Sequence, residues 1–262
     1  MAMGNKYGAH RVIEPKGLLP QAAQKIDNTM EIYDNEILID VSALNIDSAS
    51  FRQLWTASEQ NEERLRKMIL EIVGERGKMQ NPVTGSGGML MGSIAKIGSA
   101  LQDRKDIKVG DRIASLVSLS LTPLHIEEIL AVHHEIDRVD IKGQAILFES
   151  GIYAKLPEDM PEALALAALD VAGAPAQAAN IIKPGDSVLI LGAGGKSGML
   201  CGYEAMKRVG PCGNVVGMSR NDRYERILLD NNFIHKYFVA DAANPVEVLE
   251  KALECNDGKE YD

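Results

Sequence analysis

Short apolar runs punctuated by Gly and Pro dominate roughly the first 150 residues, and longer alanine- and leucine-rich stretches dominate the remainder. EILIDV at 36–41 alternates around an apolar face, and GMLMGSIAKI at 88–97 mixes glycine with apolar and β-branched residues; both read as strands. Between them, residues 58–73 carry Leu65, Met68, Ile69 and Ile72 at helical spacing amid Glu and Arg, which predicts an amphipathic helix stopped by Gly74 and Gly77. KVGDRIA at 108–114 sets a Gly-Asp turn before another strand, and the apolar segments 116–129 and 146–153 continue the β character. Residues 1–156 therefore read as a largely β domain. Residues 157–184 form a helical connection, opening on Pro-Glu-Asp and closing at Lys183-Pro184-Gly185.

Residues 185–262 have a different rhythm: strand at 186–191, helix at 199–209, strand at 213–218, helix at 222–231, strand at 236–240 and helix at 245–254. That β-α-β-α-β order is half of a doubly wound parallel sheet with right-handed crossovers. The expected fold class is α/β, a β-rich domain followed by an incomplete Rossmann sheet. A full sheet of this type needs a second half to carry a nicotinamide, and the ending GKEYD reads as a cut at a strand boundary.

The first strand of this half runs into DSVLILGAGGKSG at 186–198, where an apolar run ends in glycines. Strand, glycine turn and helix in that order hold dinucleotides: Gly192 turns the chain, Gly194 and Gly195 let the backbone approach a pyrophosphate, and Gly198 lets the helix pack close. Free N–H groups at the helix start, around Ser197, meet the anion. Ser197 occupies the last position of a strict G-x-G-x-x-G, so a purely structural strand-helix turn is the competing reading. Lys196 stands in the loop either to offset pyrophosphate charge or as a solvated lysine. After the second strand the chain reads Ser219-Arg220-Asn221-Asp222, where an acidic residue would take ribose hydroxyls and an arginine a 2′-phosphate.

Composition narrows the function. With 45% hydrophobic and 25% charged residues the chain is globular, and a net charge of -9 with pI near 5.2 offers no basic face for nucleic acid. The opening residues hold no apolar leader core and no run approaches a membrane span, so the expectation is a cytoplasmic protein with neither membrane nor nucleic-acid partner. Three cysteines without C-x-x-C spacing make neither a disulfide framework nor a four-cysteine zinc lobe. His133 and His134 adjoin at the end of an apolar run, and neighbouring strand residues face opposite ways, which favours surface or core histidines over a metal pair. For His10 and Arg11 the residues suggest no mechanism.

VSALNIDSASF (41–51), PVTGSGGMLMGSIAKIG (82–98), KVGDRIA, KPGDSVLILGAGG (183–195) and NVVGMSRN (214–221) together resemble the medium-chain dehydrogenase/reductase superfamily. Within it, GNKYGAHRVIEPKGLLPQ, IDNTMEIYDNEILIDVSALNIDSASF and RGKMQNPVTGSGGML are similar to the L-erythro-3,5-diaminohexanoate dehydrogenase family of anaerobic lysine fermentation. The resemblance implies a GroES-like substrate domain ahead of a Rossmann domain, with a small cationic diamino acid bound between them. It also implies hydride transfer from C3 to the nicotinamide and hydrolysis of the iminium to 5-amino-3-oxohexanoate and ammonia. NAD is the cofactor it favours, whereas Ser219 and Arg220 by their chemistry favour NADP. A homo-oligomer, as a dimer, is expected.

Zinc-dependent members of the superfamily carry a Cys and a His-Glu pair where this chain reads Asn45-Ile46-Asp47-Ser48 and Gly85-Ser86-Gly87, so no metal is expected. An amine needs only deprotonation before hydride leaves, which one carboxylate can perform. Asp47 is the candidate base, with Asn45 and Ser48 orienting substrate; a turn or a helix N-cap is its structural alternative. Ser86, among glycines, is the candidate for the substrate carboxylate, with a tight turn as the alternative. Two other readings stand beside the amine dehydrogenase: a zinc-free NADPH-dependent quinone or enone reductase, and a nucleotide-binding fragment that needs a partner chain.

Overall fold

The computed structural model describes residues 2–262, which divide into two compact units at Leu166/Ala167. In the first unit, β1 (Val12–Glu14) and β2 (Lys25–Ile26) form a small antiparallel ribbon. Six further strands, β3 (Glu36–Ile46), β4 (Gly88–Ile97), β5 (Arg112–Ser115), β6 (Leu124–His133), β7 (Arg138–Phe148) and β8 (Tyr153–Lys155), make an antiparallel sheet in the order β6-β7-β3-β4-β5-β8. The central β3 buries Ile37, Ile39, Val41, Leu44 and Ile46. Helices α1 (Ser48–Ala57) and α2 (Glu62–Arg76) bring Phe51, Leu54, Leu65, Ile69 and Val73 into the same core. The apolar faces seen in the sequence are thus used against one another, the main favourable term in folding.

Around the unit boundary lie α3 (Glu162–Leu169) and α4 (Gly173–Ile181). The second unit continues with β9 (Ser187–Leu191), α5 (Lys196–Val209), β10 (Asn214–Ser219), α6 (Glu225–Asp230), β11 (Lys236–Val239) and α7 (Pro245–Cys255). Its three strands are parallel, in the order β11-β10-β9. Successive β10 residues serve opposite faces, as a period of two requires: Val215 packs with Ala205, Val209 and Leu228, and Val216 with Phe238 and Ala252. A β-rich unit followed by a three-stranded parallel sheet, the half of a doubly wound one, is the fold class that the pattern predicts. Among the described residues no single helix is long and apolar enough to cross a membrane; α3 and α4 together meet that test by length and composition only, as a bent pair.

Three local expectations change. The helix expected over 58–73 starts later: Ser58 ends α1, Glu59 and Gln60 take positive φ (56° and 58°), and α2 begins at Glu62 with Asn61 accepting the Arg64 N–H. It runs through Gly74 and stops at Gly77, φ 72°. Residues 116–123 are a turning loop instead of strand, and the 157–182 helix is interrupted at 170–172.

The N-terminal arm, 3–27, is fastened at Arg11 and Glu36, each 1% exposed. Glu36 Oε1 accepts from Arg11 Nε (2.8 Å) and His10 Nε2 (2.9 Å), and Oε2 accepts from Arg11 Nη2 (2.7 Å) and the Tyr33 N–H (2.9 Å). The other guanidinium hydrogens reach the Thr29 and Glu31 carbonyls. His10 Nδ1 accepts the Asn5 N–H, which leaves Nε2 as the proton donor toward Glu36. Removing one partner strands a buried charge, so Glu36→Gln or Arg11→Met is expected to lower the unfolding free energy by about 3–5 kcal/mol in urea titrations. A loss under about 1 kcal/mol would show the pair to be dispensable.

Candidate active site and nucleotide loop

In the first unit, Asn45 and Asp47 stand where β3 passes into α1. Asn45 pairs in register with Met89 on β4 and Arg138 on β7; it is 3% exposed, and its carboxamide bonds to no other side chain or backbone group among the described residues. Asp47 caps α1, with Oδ1 accepting the Ala49 and Ser50 N–H groups at 3.1 and 3.3 Å. The cap uses one carboxylate oxygen and leaves Oδ2 outside those bonds. Ser48 donates its hydroxyl hydrogen to Asp137.

Gly87 and Gly88 let the next wall approach. A Cβ on Gly88, whose φ is 115°, would fall 2.0 Å from the Asn45 carbonyl, and one on Gly87 would fall 2.5 Å from the Ser120 nitrogen. Side chains are excluded there by contact, and the Asp47 N–H reaches the Gly87 carbonyl at 3.3 Å. The structure therefore brings Asn45, Asp47, Ser48 and the 85–88 turn together. Ser86 is half-buried; its N–H donates to Thr84 Oγ1 and its hydroxyl has no partner among the described residues.

Several residues of this region lie within the family-like run at 76–90 without suggesting a role of their own. Asn81 accepts the Val83 and Thr84 N–H groups and donates to Gln53 Oε1 and the Ser50 carbonyl, tying the turn to α1. Lys78, wholly buried, donates to the Pro20 carbonyl at 2.5 Å and lies 3.5 Å from that of Gln21. Burial, with the Arg76 charge adding to it, pulls the Lys78 ammonium down from 10.5 to about 8. Its one signal in the sequence is its place between the α2 stop and the Asn81-Pro82 turn.

His133 bonds Asp140 and His134 stacks on Trp55, and no group of three or more His, Cys, Asp or Glu among the described residues is placed to hold a metal.

In the second unit, Gly192 turns the chain at φ 81°, and the Gly192 and Ala193 N–H groups both donate to the Met218 carbonyl. A Cβ on Gly198 would fall 2.3 Å from the Gly192 carbonyl oxygen, so the helix packs on the turn. The first-turn N–H groups of α5, at Lys196, Ser197 and Gly198, have no intrahelical acceptor and suit a phosphate. Gly194 departs from expectation: the Tyr224 ring covers it, and its N–H donates to Ser219 Oγ at 3.0 Å, so Gly195 is the open position. Lys196 lies 3.5 Å from Asp170, and Arg220 is exposed without a partner among the described residues. All of this sits at the carboxyl ends of β9 and β10, where open parallel sheets bind ligands. The cradle fits a dinucleotide pyrophosphate.

The profile of the L-erythro-3,5-diaminohexanoate dehydrogenase N-terminal domain matches residues 10–157. The chain belongs to the L-erythro-3,5-diaminohexanoate dehydrogenase family. It is 65% identical over 259 residues to L-erythro-3,5-diaminohexanoate dehydrogenase of Acetoanaerobium sticklandii, covering 99% of this chain and 75% of the relative. Its identity to the Fusobacterium nucleatum subsp. nucleatum enzyme of that name is 63% over 262 residues, with 100% and 76% covered. Among solved structures, the fold is similar to CurK enoyl reductase (TM-score 0.55, 17% identity, 92% of this chain and 60% of that one). It is also similar to Escherichia coli quinone oxidoreductase complexed with NADPH (TM-score 0.50, 17% identity, 92% and 61%). The chain thus spans about three quarters of its curated relatives and about three fifths of these structures. The structures share the fold alone; the relatives carry the family.

A depressed lysine is worth most to the fold when it is neutral. Lys78 contributes fully above 10.5 and loses that contribution as pH falls through about 8, so the stability of the wild type relative to Lys78→Met is expected to rise between those pH values. Denaturant titrations of both proteins at several pH values measure this, and a pH-independent difference would contradict it.

Proposed function

We propose that this family member carries out oxidative deamination of L-erythro-3,5-diaminohexanoate: substrate, water and oxidised nicotinamide give 5-amino-3-oxohexanoate, ammonium, the reduced cofactor and a proton. The observation that carries the reading is identity of 63–65% to two enzymes of that name over 99–100% of this chain. When bound, the nicotinamide supplies the hydride acceptor. The chain's own work is to bind the diamino acid, take a proton from the C3 ammonium and later one from the water that attacks the iminium carbon. Asp47 is the proposed base, through Oδ2, because its cap bonds occupy only Oδ1. Asn45 offers an unpartnered carboxamide to the amine, and Ser48 a hydroxyl oxygen whose hydrogen is committed to Asp137. Ser86 receives the substrate carboxylate.

The pyrophosphate is assigned to Gly192, Gly194, Gly195, Lys196, Ser197 and Gly198, with Gly194 acting through its packing. NAD is the proposed cofactor, on the family resemblance; NADP is the second reading, favoured by Ser219 and the unpartnered Arg220. A cytoplasmic homodimer is the proposed setting, and exposed Ile181, Leu191 and Leu249 support association.

The cap and the base separate by substitution. Asp47→Asn retains an N-cap of similar strength, whereas Asp47→Ala loses about 0.5–2 kcal/mol of stability. Both are expected to lower kcat by about 100-fold or more, the scale of a lost general base, in an assay of nicotinamide reduction. Activity retained by Asp47→Asn would assign Asp47 to the cap alone. For the cofactor, Arg220→Ala is expected to raise KM for NADP about tenfold, the scale of one charge-assisted contact, and to leave NAD unaffected; equal effects on both would remove Arg220 from phosphate recognition.

A further inference from the structure

The N-terminal arm enters the site through Gln21. Its backbone carbonyl is held by Lys78 Nζ and by Gln80 Nε2 (3.2 Å), and the same Gln80 amide bonds the Gly85 carbonyl (3.1 Å), one residue before Ser86. Its side chain is held from the other side. Ser120, fully buried, donates its hydroxyl hydrogen to Gln21 Oε1 at 3.0 Å, while its own N–H goes to Ser118 Oγ and the Ser118 and Ser120 hydroxyls meet at 2.8 Å. A hydroxyl has one hydrogen, so with Ser120 committed to Gln21 the hydrogen between the two serines must come from Ser118. The relay occupies Gln21 Oε1 and fixes the exposed carboxamide with both Nε2 hydrogens free of protein acceptors among the described residues and open to a ligand from solvent.

We propose that Gln21 is a specificity-determining residue that presents its two carboxamide N–H groups to the substrate carboxylate beside Ser86. This rests on the diamino-acid reading of the site. The backbone places it there: Ser120, which holds Gln21, abuts Gly87, which follows Ser86 and receives the Asp47 N–H. The charge of the ligand explains the choice of donor. 3,5-Diaminohexanoate carries two ammonium groups, which an arginine at this position would repel; a neutral amide binds the carboxylate without that cost. The nearby cation, Lys78, spends its hydrogen bonds on the Pro20 and Gln21 carbonyls.

The test is Gln21→Glu, which keeps the oxygen that Ser120 needs and sets a negative charge against the carboxylate. KM for diaminohexanoate is expected to rise about tenfold or more with kcat within about threefold, the signature of lost binding common to ground and transition states. With pentane-2,4-diamine, which lacks the carboxylate, variant and wild type are expected to agree, and thermal unfolding reports that the variant is folded. Unchanged KM for diaminohexanoate, or the same change with the diamine, would overturn the assignment. If the wild type turns over neither compound, the proposed reaction falls, and Gln21 is judged by calorimetric affinity for diaminohexanoate: a loss of about tenfold supports it, while equal affinity, or no binding to the wild type, overturns it.

Discussion

A guanidinium and a carboxylate taken out of water survive together only when every donor and acceptor is used, and Arg11 with Glu36 meets that condition. Glu36 is the first residue of β3, and Asn45 and Asp47 lie at its far end, about 30 Å along an extended strand. The pair therefore fixes the arm to the element that delivers the candidate chemistry. From Arg11 the arm runs to Pro20 and Gln21, where Lys78, Gln80 and Ser120 hold it against the 85–88 turn. One face of the proposed site is thus made by residues that are distant in sequence and locked at both ends.

Asp47 illustrates how an observed structural role and a proposed chemical one can share a side chain. Its Oδ1 satisfies two amides that a helix start would otherwise leave open, and this orients the carboxylate; Oδ2 is then presented in a fixed direction. A base needs that kind of support to stay in reach of its proton. The second unit repeats the logic with backbone: Met218, Ser219 and Tyr224 on and after β10 hold the glycine turn, so that the first amides of α5 stay open.

The strands at 36–41, which β3 extends to Ile46, and at 88–97, together with the parallel half, are legible because their apolar periods are regular and their glycines punctuate them. Helix α1 is not, since SASFRQLWTA is rich in weak helix formers and is set by the Asp47 cap and the packing of Phe51 and Leu54. The glycine turn between β9 and α5 is legible as a turn, but the packing of Gly194 is not, because Tyr224 lies 30 residues on and contact at that separation leaves no local pattern. The same holds for Gln21, Lys78 and Ser120. His10 and Arg11 suggested no mechanism because their partner, Glu36, reads in sequence as an ordinary strand start. Family motifs supplied what periodicity lacked, and their match over residues 10–157 includes the arm itself.

The central claim is that the arm, the 85–88 turn and Asp47 form one wall that receives the diamino acid. A crystal structure of the protein with L-erythro-3,5-diaminohexanoate tests it directly. The account requires the carboxylate within hydrogen-bond reach of Gln21 Nε2 and Ser86, and the C3 nitrogen within reach of Asp47 Oδ2. Substrate bound with its C3 nitrogen remote from Asp47, or with its carboxylate on another surface, would contradict it.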